Sequence, residues 1–255
     1  MMSGSNIVSL SGGKDSTAML LMMLERNENI ADIVFFDTGW EHPEMYEHLE
    51  KLESFTGRKF TRLAPRPPLG TNTEKKPFDW IFAEAPIVKR GTSEVHRIGR
   101  GWPCAARRWC SGSKRDAINA HFLALTHRQG LNLPLYQCIG FATDEQKRVN
   151  NRKCRGKWFQ TRFPLVELGI TEQVALDYCL KRGFDWNGLY QHFSRVSCFC
   201  CPLKSLPELR TLRSKFPELW KKMLLMESWL PAGKRRQFKN TTVSGLDVRF
   251  AAEEA

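Results

Sequence analysis

The hexapeptide Ser11-Gly12-Gly13-Lys14-Asp15-Ser16 joins an apolar run at residues 7–10 to a run with helical periodicity at residues 17–24. A buried strand that leads through a glycine turn into a helix brings several backbone N–H groups and the positive end of the helix dipole to one point. Such a point binds phosphate. The other interpretation is a glycine turn that only caps the helix. The complete hexapeptide at a strand-to-helix junction favours the phosphate site.

The phosphate loop of most nucleoside triphosphatases is a different motif. It has a glycine five residues before the glycine of its Gly-Lys pair, and Ser or Thr after the lysine. This chain has Val8 and Asp15 at those positions. The hexapeptide resembles instead the PP-loop of ATP pyrophosphatases, enzymes that split ATP between the α and β phosphates and adenylate a substrate. The resemblance implies an anion site made of backbone N–H groups, a lysine charge and hydroxyl donors, supplied by Gly12, Gly13, Lys14, Ser11 and Ser16.

The composition describes a globular chain. At 255 residues and 42% hydrophobic content, it is long enough for one large domain, or a domain with an extension, around a substantial core. The sequence has no long uncharged apolar stretch, and its N-terminus lacks a basic segment followed by an apolar one. We therefore expect a cytoplasmic protein with no membrane partner.

The charge balance is strongly basic. Lys and Arg exceed Asp and Glu by 39 to 27, and the surplus gathers in residues 97–115, 147–157 and 234–239. A positive field recruits polyanions, either phosphorylated nucleotides or a nucleic-acid backbone such as tRNA or DNA. Basic runs are also often only solvated surfaces, so charge alone does not choose between these interpretations.

Short apolar runs alternate with helical patterns at the start of the chain. Strands are predicted at residues 6–10, 32–36 and 59–63, and helices at residues 16–27 and 43–56. This order predicts an α/β fold: a Rossmann-like parallel sheet flanked by helices, with the ligand at the carboxyl ends of the strands. Asp37, which follows the second strand, would then lie beside the hexapeptide.

The organisation of the whole chain is predicted in three regions. Residues 1–168 form the nucleotide-binding core, with an irregular excursion at residues 64–103 that is rich in Pro, Gly and charge. Residues 169–232 form a helical region that carries the late cysteine motif. Its helices are predicted from the periodic run at residues 171–182, from a capping-box signal at Ser205 and from a proline signal at Pro217. Residues 233–255 form a basic tail with weak signals of order.

Eight cysteines in a cytoplasmic chain argue against a disulfide framework. Cys138 lies in an apolar run at residues 133–141 and Cys179 lies on a periodic helix, so both are predicted to be core residues. Cys154 stands alone among basic residues as an ordinary thiol. The candidates for metal binding are the remaining ones, Cys104, Cys110, Cys198, Cys200 and Cys201.

Several further segments resemble, in the same order along the chain, motifs of the phosphoadenylylsulfate (PAPS) reductase-like proteins. That family belongs to the PP-loop, or adenine nucleotide alpha hydrolase-like, superfamily. The segments are residues 36–44 (FDTGWEHPE), 108–114 (RWCSGSK), 139–148 (IGFATDEQKR), 163–165 (FPL) and 198–202 (CFCCP). The resemblance implies the PP-loop α/β fold with a mainly helical C-terminal extension, and ATP or a related adenine nucleotide as the ligand.

The resemblance also assigns roles to residues. Nucleotide contacts outside the hexapeptide would come from Asp37, Thr38, Gly39, Gly140 and Arg148. Asp37 would accept a hydrogen bond from a ribose hydroxyl or help to hold Mg²⁺, although an aspartate here can also simply cap the following turn. Fixed positive charge for the pyrophosphate or an anionic acceptor would come from Arg107, Arg108, Lys114, Arg115 and Arg148. The predicted catalytic residues are Lys14, Asp15, Asp37 and Lys114.

A metal centre is predicted from three thiols. Cys198 and Cys201 form a C-x-x-C pair before the Ser205 helix, and Cys110 precedes a helix predicted at residues 114–126. Two helix N-termini would point at these thiols, lower their pKa and suit an anionic 4Fe-4S cluster.

The fourth ligand is assigned to Cys104, with Cys200 as its rival. Many family members have two adjacent cysteines where this chain has Trp109-Cys110, so an iron with an open position stays in view. A structural zinc site and a redox-active pair are the other interpretations of the same thiols.

The reaction is predicted from two positions at which this chain differs from the pattern of the family. Sulfonucleotide reductases of the family attack sulfur with a cysteine near the C-terminus, whereas the last cysteine of this chain is Cys201, and Ala142 replaces an arginine common in the family. We therefore expect ATP-dependent adenylation of an acceptor, followed by sulfur transfer to tRNA or DNA, with a sulfur-donor protein and a homodimer as further partner predictions. Two alternatives stay open: a reductase with an unusual nucleophile such as Cys200, and a non-catalytic nucleotide-binding partner subunit.

Overall fold

The structure is a computed structural model that describes residues 4–65, 77–104, 106, 108–127, 130–151, 158–233 and 236–254. Arg107, Cys154, Lys234 and Arg235, which enter the sequence analysis, lie outside the described residues.

The described chain contains strands and α-helices that alternate through its first half and give way to helices alone after residue 162. The strands are β1 (Ser5–Leu10), β2 (Ile30–Phe36), β3 (Thr61–Leu63), β4 (Pro86–Val88), β5 (Val95–Ile98), β6 (Leu135–Ile139) and β7 (Phe159–Arg162). The helices are α1 (Lys14–Glu25), α2 (Pro43–Thr56), α3 (Pro77–Ala83), α4 (Trp109–Thr126), α5 (Gln146–Asn150), α6 (Pro164–Glu167), α7 (Glu172–Lys181), α8 (Leu189–His192), α9 (Leu206–Lys215), α10 (Pro217–Ser228) and α11 (Val243–Glu254).

Five strands form a parallel sheet in the order β3-β2-β1-β6-β7. β1 lies at its centre, where Val8 pairs with Ile33 of β2 and with Cys138 of β6. Ile7 and Val8 are 0% exposed, as expected for a strand that is covered on both faces. The predicted fold class is confirmed: a parallel sheet flanked by helices, with a helical C-terminal part.

The order of the strands has a switch point between β1 and β6. From β1 the chain continues to β2 and β3 on one side, and it later returns to place β6 and β7 on the other side. In open α/β sheets, the loops after two strands that diverge in this way leave a crevice in which ligands bind. Here those loops begin at Ser11 and Gly140, two residues predicted to contact the nucleotide.

The chain divides into two compact units. The first unit comprises Met1–Asp37, Pro43–Leu63 and Asp116–Val196, and the second comprises Thr38–His42, Ala64–Arg115 and Ser197–Ala255. The first unit holds the parallel sheet, and one of its core clusters contains Ile7, Val34, Ile118, Phe122, Leu125 and Leu135. The second unit holds the β4-β5 hairpin, an aromatic cluster around Trp40 and the helices α9 to α11.

Several local predictions are confirmed. Ser205 and Glu208 form the predicted capping box at the start of α9, and the periodic run at residues 171–182 contains α7. Cys138 and Cys179 are both 0% exposed, as predicted for core residues.

Over the described residues, none of the helices combines the length and the apolar character needed to cross a bilayer.

Other local predictions differ from the structure. α4 begins at Trp109 instead of near Lys114, so Cys110 lies in the first turn of the helix and does not precede it. The segment at residues 64–103 contains α3 and the β4-β5 hairpin, to which the sequence assigned no element. The basic tail contains the twelve-residue helix α11.

Candidate functional site

The hexapeptide joins β1 to α1 as predicted. α1 begins at Lys14, two residues before the predicted start, and Gly13 is its N-cap residue without a side-chain cap. Gly12 has a φ of +81°, a left-handed conformation that costs other residues conformational energy. The first turn of α1 therefore presents N–H groups that the helix itself cannot pair.

The two serine hydroxyls bond within the hexapeptide. The N–H of Ser11 donates to Ser16 Oγ at 3.1 Å, and the two hydroxyl oxygens are 3.0 Å apart. Ser16 Oγ also donates to the carbonyl of Gly13 at 3.1 Å. These contacts fix the shape of the turn, so the hydroxyls stabilise the site in addition to any contact with a ligand.

Two aromatic residues of the first unit hold the loop backbone. The N–H of Lys14 donates to the hydroxyl of Tyr190 at 2.7 Å, and Trp186 Nε1 donates to the carbonyl of Gly12 at 2.7 Å. Among the residues that the structure describes, four other N–H groups of the turn have no acceptor, those of Gly12, Gly13, Asp15 and Ser16. The turn therefore keeps an open set of amide donors of the kind that binds phosphate.

His48 supports the loop from behind. Its Nε2 lies 3.0 Å from the hydroxyl of Thr17, and its ring stacks on Trp186 with centroids 4.5 Å apart. Burial lowers the pKa of His48 to about 3, so the ring is neutral at physiological pH. His48 and Trp186 thus position the loop without adding charge to it.

The side chain of Lys14 is buried beside two carboxylates. Lys14 is 5% exposed, and its Nζ lies 2.5 Å from Glu172 Oε2 and 3.4 Å from Asp15 Oδ2. Burial raises the pKa of Asp15 to about 6; the charge of Lys14 opposes this shift, and Glu172 and Glu145 add to it. The lysine predicted to bind phosphate is therefore held by acidic groups of the protein.

The other predicted nucleotide residues of the first unit lie in segments that follow the carboxyl ends of strands. Asp37 follows β2 and accepts a hydrogen bond from the hydroxyl of Tyr46 at 2.8 Å. Arg148 on α5 pairs with Glu145, and its guanidinium lies 4.2 Å from the centroid of the Phe141 ring.

Gly140 lies against the first turn of α1. A Cβ atom at this position would lie 2.8 Å from both Cα and N of Ser16, and 3.0 Å from the carbonyl carbon of Asp15. All three are backbone atoms. Gly140 therefore has to be a glycine, because the loop after β6 approaches the phosphate turn too closely for a side chain.

Gly140→Ala should lower the free energy of unfolding by about 1 to 3 kcal/mol, because the added methyl group must push α1 and its loop apart. The matched control is Gly112→Ala on α4, where an added Cβ meets nothing within 4 Å. Alanine there should be neutral or stabilising, since it is the better helix former. Chemical denaturation of both variants measures the difference. Equal stability of the two variants would contradict the argument.

In the second unit, residues 38–41 contact the late cysteine motif. Thr38 Oγ1 lies 3.6 Å from Cys198 Sγ and donates to Glu41 Oε1 at 3.0 Å. Cys198 Sγ lies 3.7 Å from the same Glu41 oxygen, and the N–H of Phe199 donates to the carbonyl of Trp40 at 2.9 Å. Of the residues predicted to bind the nucleotide, Thr38 is thus next to a thiol predicted to bind metal.

Three predicted metal ligands influence each other electrostatically. Burial raises the pKa of Cys110, and the nearby thiolate of Cys201 raises it further. The pKa of Cys198 is raised well above its usual range by loss of solvent, by Glu41 and by Cys201, while Lys114 opposes the shift. The prediction that these pKa values are lowered is wrong for Cys110 and Cys198, because desolvation is the largest influence on each thiol and raises its pKa.

The predicted cysteine ligands differ in their exposure to solvent. Cys104, Cys110, Cys198 and Cys201 are all partly exposed, and Cys200 is buried. Within the described residues, no three Cys, His, Asp or Glu side chains are placed so that they could hold a metal ion as they stand. The donor chemistry of Cys110, Cys198 and Cys201 nevertheless fits both zinc and an iron-sulfur cluster, which take thiolates.

Sequence reasoning missed four residues that shape these sites, Glu41, Glu172, Trp186 and Tyr190. Glu172 is the first residue of α7, a position where an acidic residue is ordinary, and Tyr190 and Trp186 have the spacing of core aromatics. Only Glu41 carried a signal, since it belongs to the segment at residues 36–44 that resembles a family motif.

Comparison with known proteins supports the resemblance. Residues 5–84 match the family model described as the phosphoadenosine phosphosulfate reductase domain. The match includes the hexapeptide and the segment at residues 36–44, so the resemblance is confirmed over this part of the chain. The later motifs lie outside the matched residues.

Similar proteins were found among curated sequences and among solved structures. An uncharacterized protein of Methanocaldococcus jannaschii is 26% identical over 221 residues, which is 85% of this chain and 40% of that protein. An uncharacterized 37.8 kDa protein of Escherichia phage 186 is 50% identical over 52 residues, which is 20% of this chain and 15% of that protein. The chain thus spans less than half the length of these relatives. The solved U34-tRNA thiolase NcsA from Methanococcus maripaludis, with its [4Fe-4S] cluster, is 15% identical, with a TM-score of 0.44 over 97% of this chain and 72% of that one.

Proposed function

We propose that this chain binds ATP at the hexapeptide, adenylates an acceptor with release of pyrophosphate, and takes part in sulfur transfer to a nucleic acid. The observation that carries the proposal is the turn at the β1-β6 switch point, where the N–H groups of Gly12, Gly13, Asp15 and Ser16 have no acceptor among the described residues. Amides at a helix N-terminus bind phosphate oxygens. The match of residues 5–84 to the phosphoadenosine phosphosulfate reductase domain supports the same assignment.

The adenylation step needs stabilisation of the departing pyrophosphate. The amides of the turn and the ammonium of Lys14 would supply it, since preorganised donors stabilise charge that develops at the transition state. Asp37 and Asp15 are the proposed carboxylates for Mg²⁺ and for positioning within the first unit. Asp15 lies in the same turn, 3.4 Å from Lys14 Nζ, and the charge of a bound cation would oppose the burial that raises its pKa to about 6.

The second unit would hold the metal group. We propose Cys110, Cys198 and Cys201 as ligands of a 4Fe-4S cluster, with Cys104 as the fourth, and Lys114 as a positive charge near Cys198. If Cys110, Cys198 and Cys201 were the only ligands, the fourth iron would be open and could bind sulfide instead. Zinc is the alternative occupant of the same thiols.

The acceptor is proposed to be a nucleic acid, tRNA or DNA. The chain carries a formal net charge of +12, and a field of this sign attracts a phosphate backbone. A small neutral acceptor would not need this positive field.

The test is incubation of the full chain, purified anaerobically, with ATP, Mg²⁺ and sulfide in the presence of total tRNA or of DNA, because AMP leaves the adenylated acceptor only when sulfur displaces it. We expect AMP and pyrophosphate in equal amounts, with a rate that rises when the correct nucleic acid is added. Binding of ATP without AMP under any of these conditions would contradict the proposed reaction and identify a nucleotide-binding partner subunit instead.

A second candidate function is reduction of a sulfonucleotide. It is favoured by the description of the family model that matches residues 5–84. A reductase would release sulfite from phosphoadenylylsulfate with a thiol reductant such as thioredoxin, and it would form no AMP from ATP. Sulfite and AMP measurements on the same preparation therefore separate the two candidates.

A further inference from the structure

The ammonium of Lys14 already has an anionic partner inside the protein. Its Nζ lies 2.5 Å from Glu172 Oε2, and Asp15 Oδ2 is 3.4 Å away. Two carboxylates thus face one buried lysine in a loop whose proposed ligand is a polyphosphate. Since like charges close together are unfavourable, a phosphate group and Glu172 cannot both occupy the side of Lys14 at low cost.

The backbone of Glu172 is fixed. Thr171 caps α7, and the N–H of Glu172 donates to both carboxylate oxygens of Asp144 at 3.3 Å. The start of α7 is therefore tied to the segment at Thr143–Glu145 that follows the Gly140 loop.

The side chain of Glu172 is more exposed to solvent than that of Lys14. It is 34% exposed, whereas the side chain of Lys14 is 6% exposed. A carboxylate that is already one-third exposed can be hydrated again when it leaves the ion pair, whereas the buried ammonium of Lys14 cannot. Glu172 is thus the member of the ion pair that can leave.

The backbone of the turn does not take part in the ion pair between Lys14 and Glu172. Tyr190 accepts from the N–H of Lys14, and Trp186 donates to the carbonyl of Gly12. Among the described residues, the remaining N–H groups of the turn donate to no carboxylate. Competition between protein and ligand is therefore confined to the ammonium of Lys14.

We propose that Glu172 is an internal competitor for the nucleotide phosphates, bound to Lys14 in the empty site and displaced when the nucleotide binds. The inference rests on the proposed function and adds to it a residue that sets nucleotide affinity. When the binding-competent state is a minor fraction of the molecules, the apparent dissociation constant rises by the inverse of that fraction.

The test is Glu172→Gln, which keeps the shape of the side chain and removes its charge. Calorimetric titration with ATP, and separately with pyrophosphate, should show binding about tenfold tighter than that of the unmodified chain, as expected if Lys14 is released in about a tenth of the molecules. The matched control is Asp177→Asn on the exposed side of the same helix, where the carboxylate accepts from Gln173 and not from Lys14. Its affinity should stay within about twofold of the unmodified chain.

The outcomes separate the inference from the proposed function. Tighter binding by Glu172→Gln, with Asp177→Asn unchanged, supports the inference. Equal or weaker binding by Glu172→Gln, when the unmodified chain binds, overturns the inference and leaves the proposed function intact. The proposed function itself is overturned if neither the unmodified chain nor Glu172→Gln binds ATP or pyrophosphate and the two proteins have the same melting temperature. Equal tightening by both variants would indicate a general field effect and would also overturn the inference.

Discussion

Lys14→Met should lower the rate of AMP formation from ATP by about two orders of magnitude or more. The substitution removes the ammonium from the phosphate turn, whereas the backbone amides of Gly12 and Gly13 remain. Methionine has a similar length and fits a position that is 5% exposed, so the loss should reflect charge and not a cavity. The measurement is the release of AMP and pyrophosphate by the full chain with ATP, Mg²⁺, nucleic acid and sulfide.

The substitution also leaves Glu172 and Asp15 without their common partner, so it is expected to lower stability as well. The double variant Lys14→Met with Glu172→Gln corrects for this, because it removes a positive and a negative charge together. Its melting temperature should return toward that of the unmodified chain, whereas AMP formation should stay low. Lys221→Met removes a surface lysine that pairs with Glu218 at 2.8 Å and serves as the matched control. Normal AMP formation by the Lys14 single variant would show that the ammonium of Lys14 takes no part in the reaction.

The phosphate turn could be predicted from sequence because its chemistry is local. The strand, the two glycines and the helix start are contiguous, so the N–H groups converge whatever the rest of the chain does. The alternation of strands and helices likewise predicts the parallel sheet, since parallel strands need crossover connections. The partners of the turn were not predictable in this way. Glu172 and Tyr190 are 158 and 176 residues from Lys14, and only the folded first unit brings them together.

The start of α4 and the existence of α11 show where local signals fail. The residue before α4 is Arg108, which cannot act as a side-chain cap, so the sequence signal for a helix begins only after Gly112. α11 is stabilised by tertiary contacts instead of a strong pattern of its own: Asp247 accepts from Arg213 Nε and from Trp220 Nε1, each at 2.8 Å. Such partners are visible only once α9, α10 and α11 are packed together.

The thiol pKa values illustrate a competition between two effects that sequence cannot weigh. The prediction rested on helix N-termini, which favour a thiolate by a fraction of a unit to a few units depending on geometry. Burial acts in the opposite direction, and it dominates for Cys110 and Cys198. The extent of burial depends on residues far along the chain, such as Glu41 and Thr38 beside Cys198.

Substitution of any one of Cys110, Cys198 or Cys201 by serine should reduce the iron content of anaerobically purified protein from about four atoms per chain to less than about one. Each loses a thiolate that a 4Fe-4S cluster requires, and a hydroxyl is a poor replacement for a soft ligand. Iron, zinc and acid-labile sulfide are to be measured on the same samples. Cys138→Ala is the matched control, because Cys138 is a buried core thiol of the first unit. It should keep the full iron content.

The proposal of Cys104 over Cys200 as the fourth ligand is supported by exposure. Cys104 is partly exposed, like Cys110, Cys198 and Cys201, whereas Cys200 is 0% exposed. A cluster several ångströms across needs space in front of each ligand, and a fully packed side chain lacks it. Cys104→Ser should therefore lose iron and sulfide together, and Cys200→Ser should retain both. The opposite pattern would make Cys200 the fourth ligand. Zinc in place of iron, lost from the same variants, would preserve the ligand assignment and exclude the cluster, because zinc takes the same thiolates without sulfide.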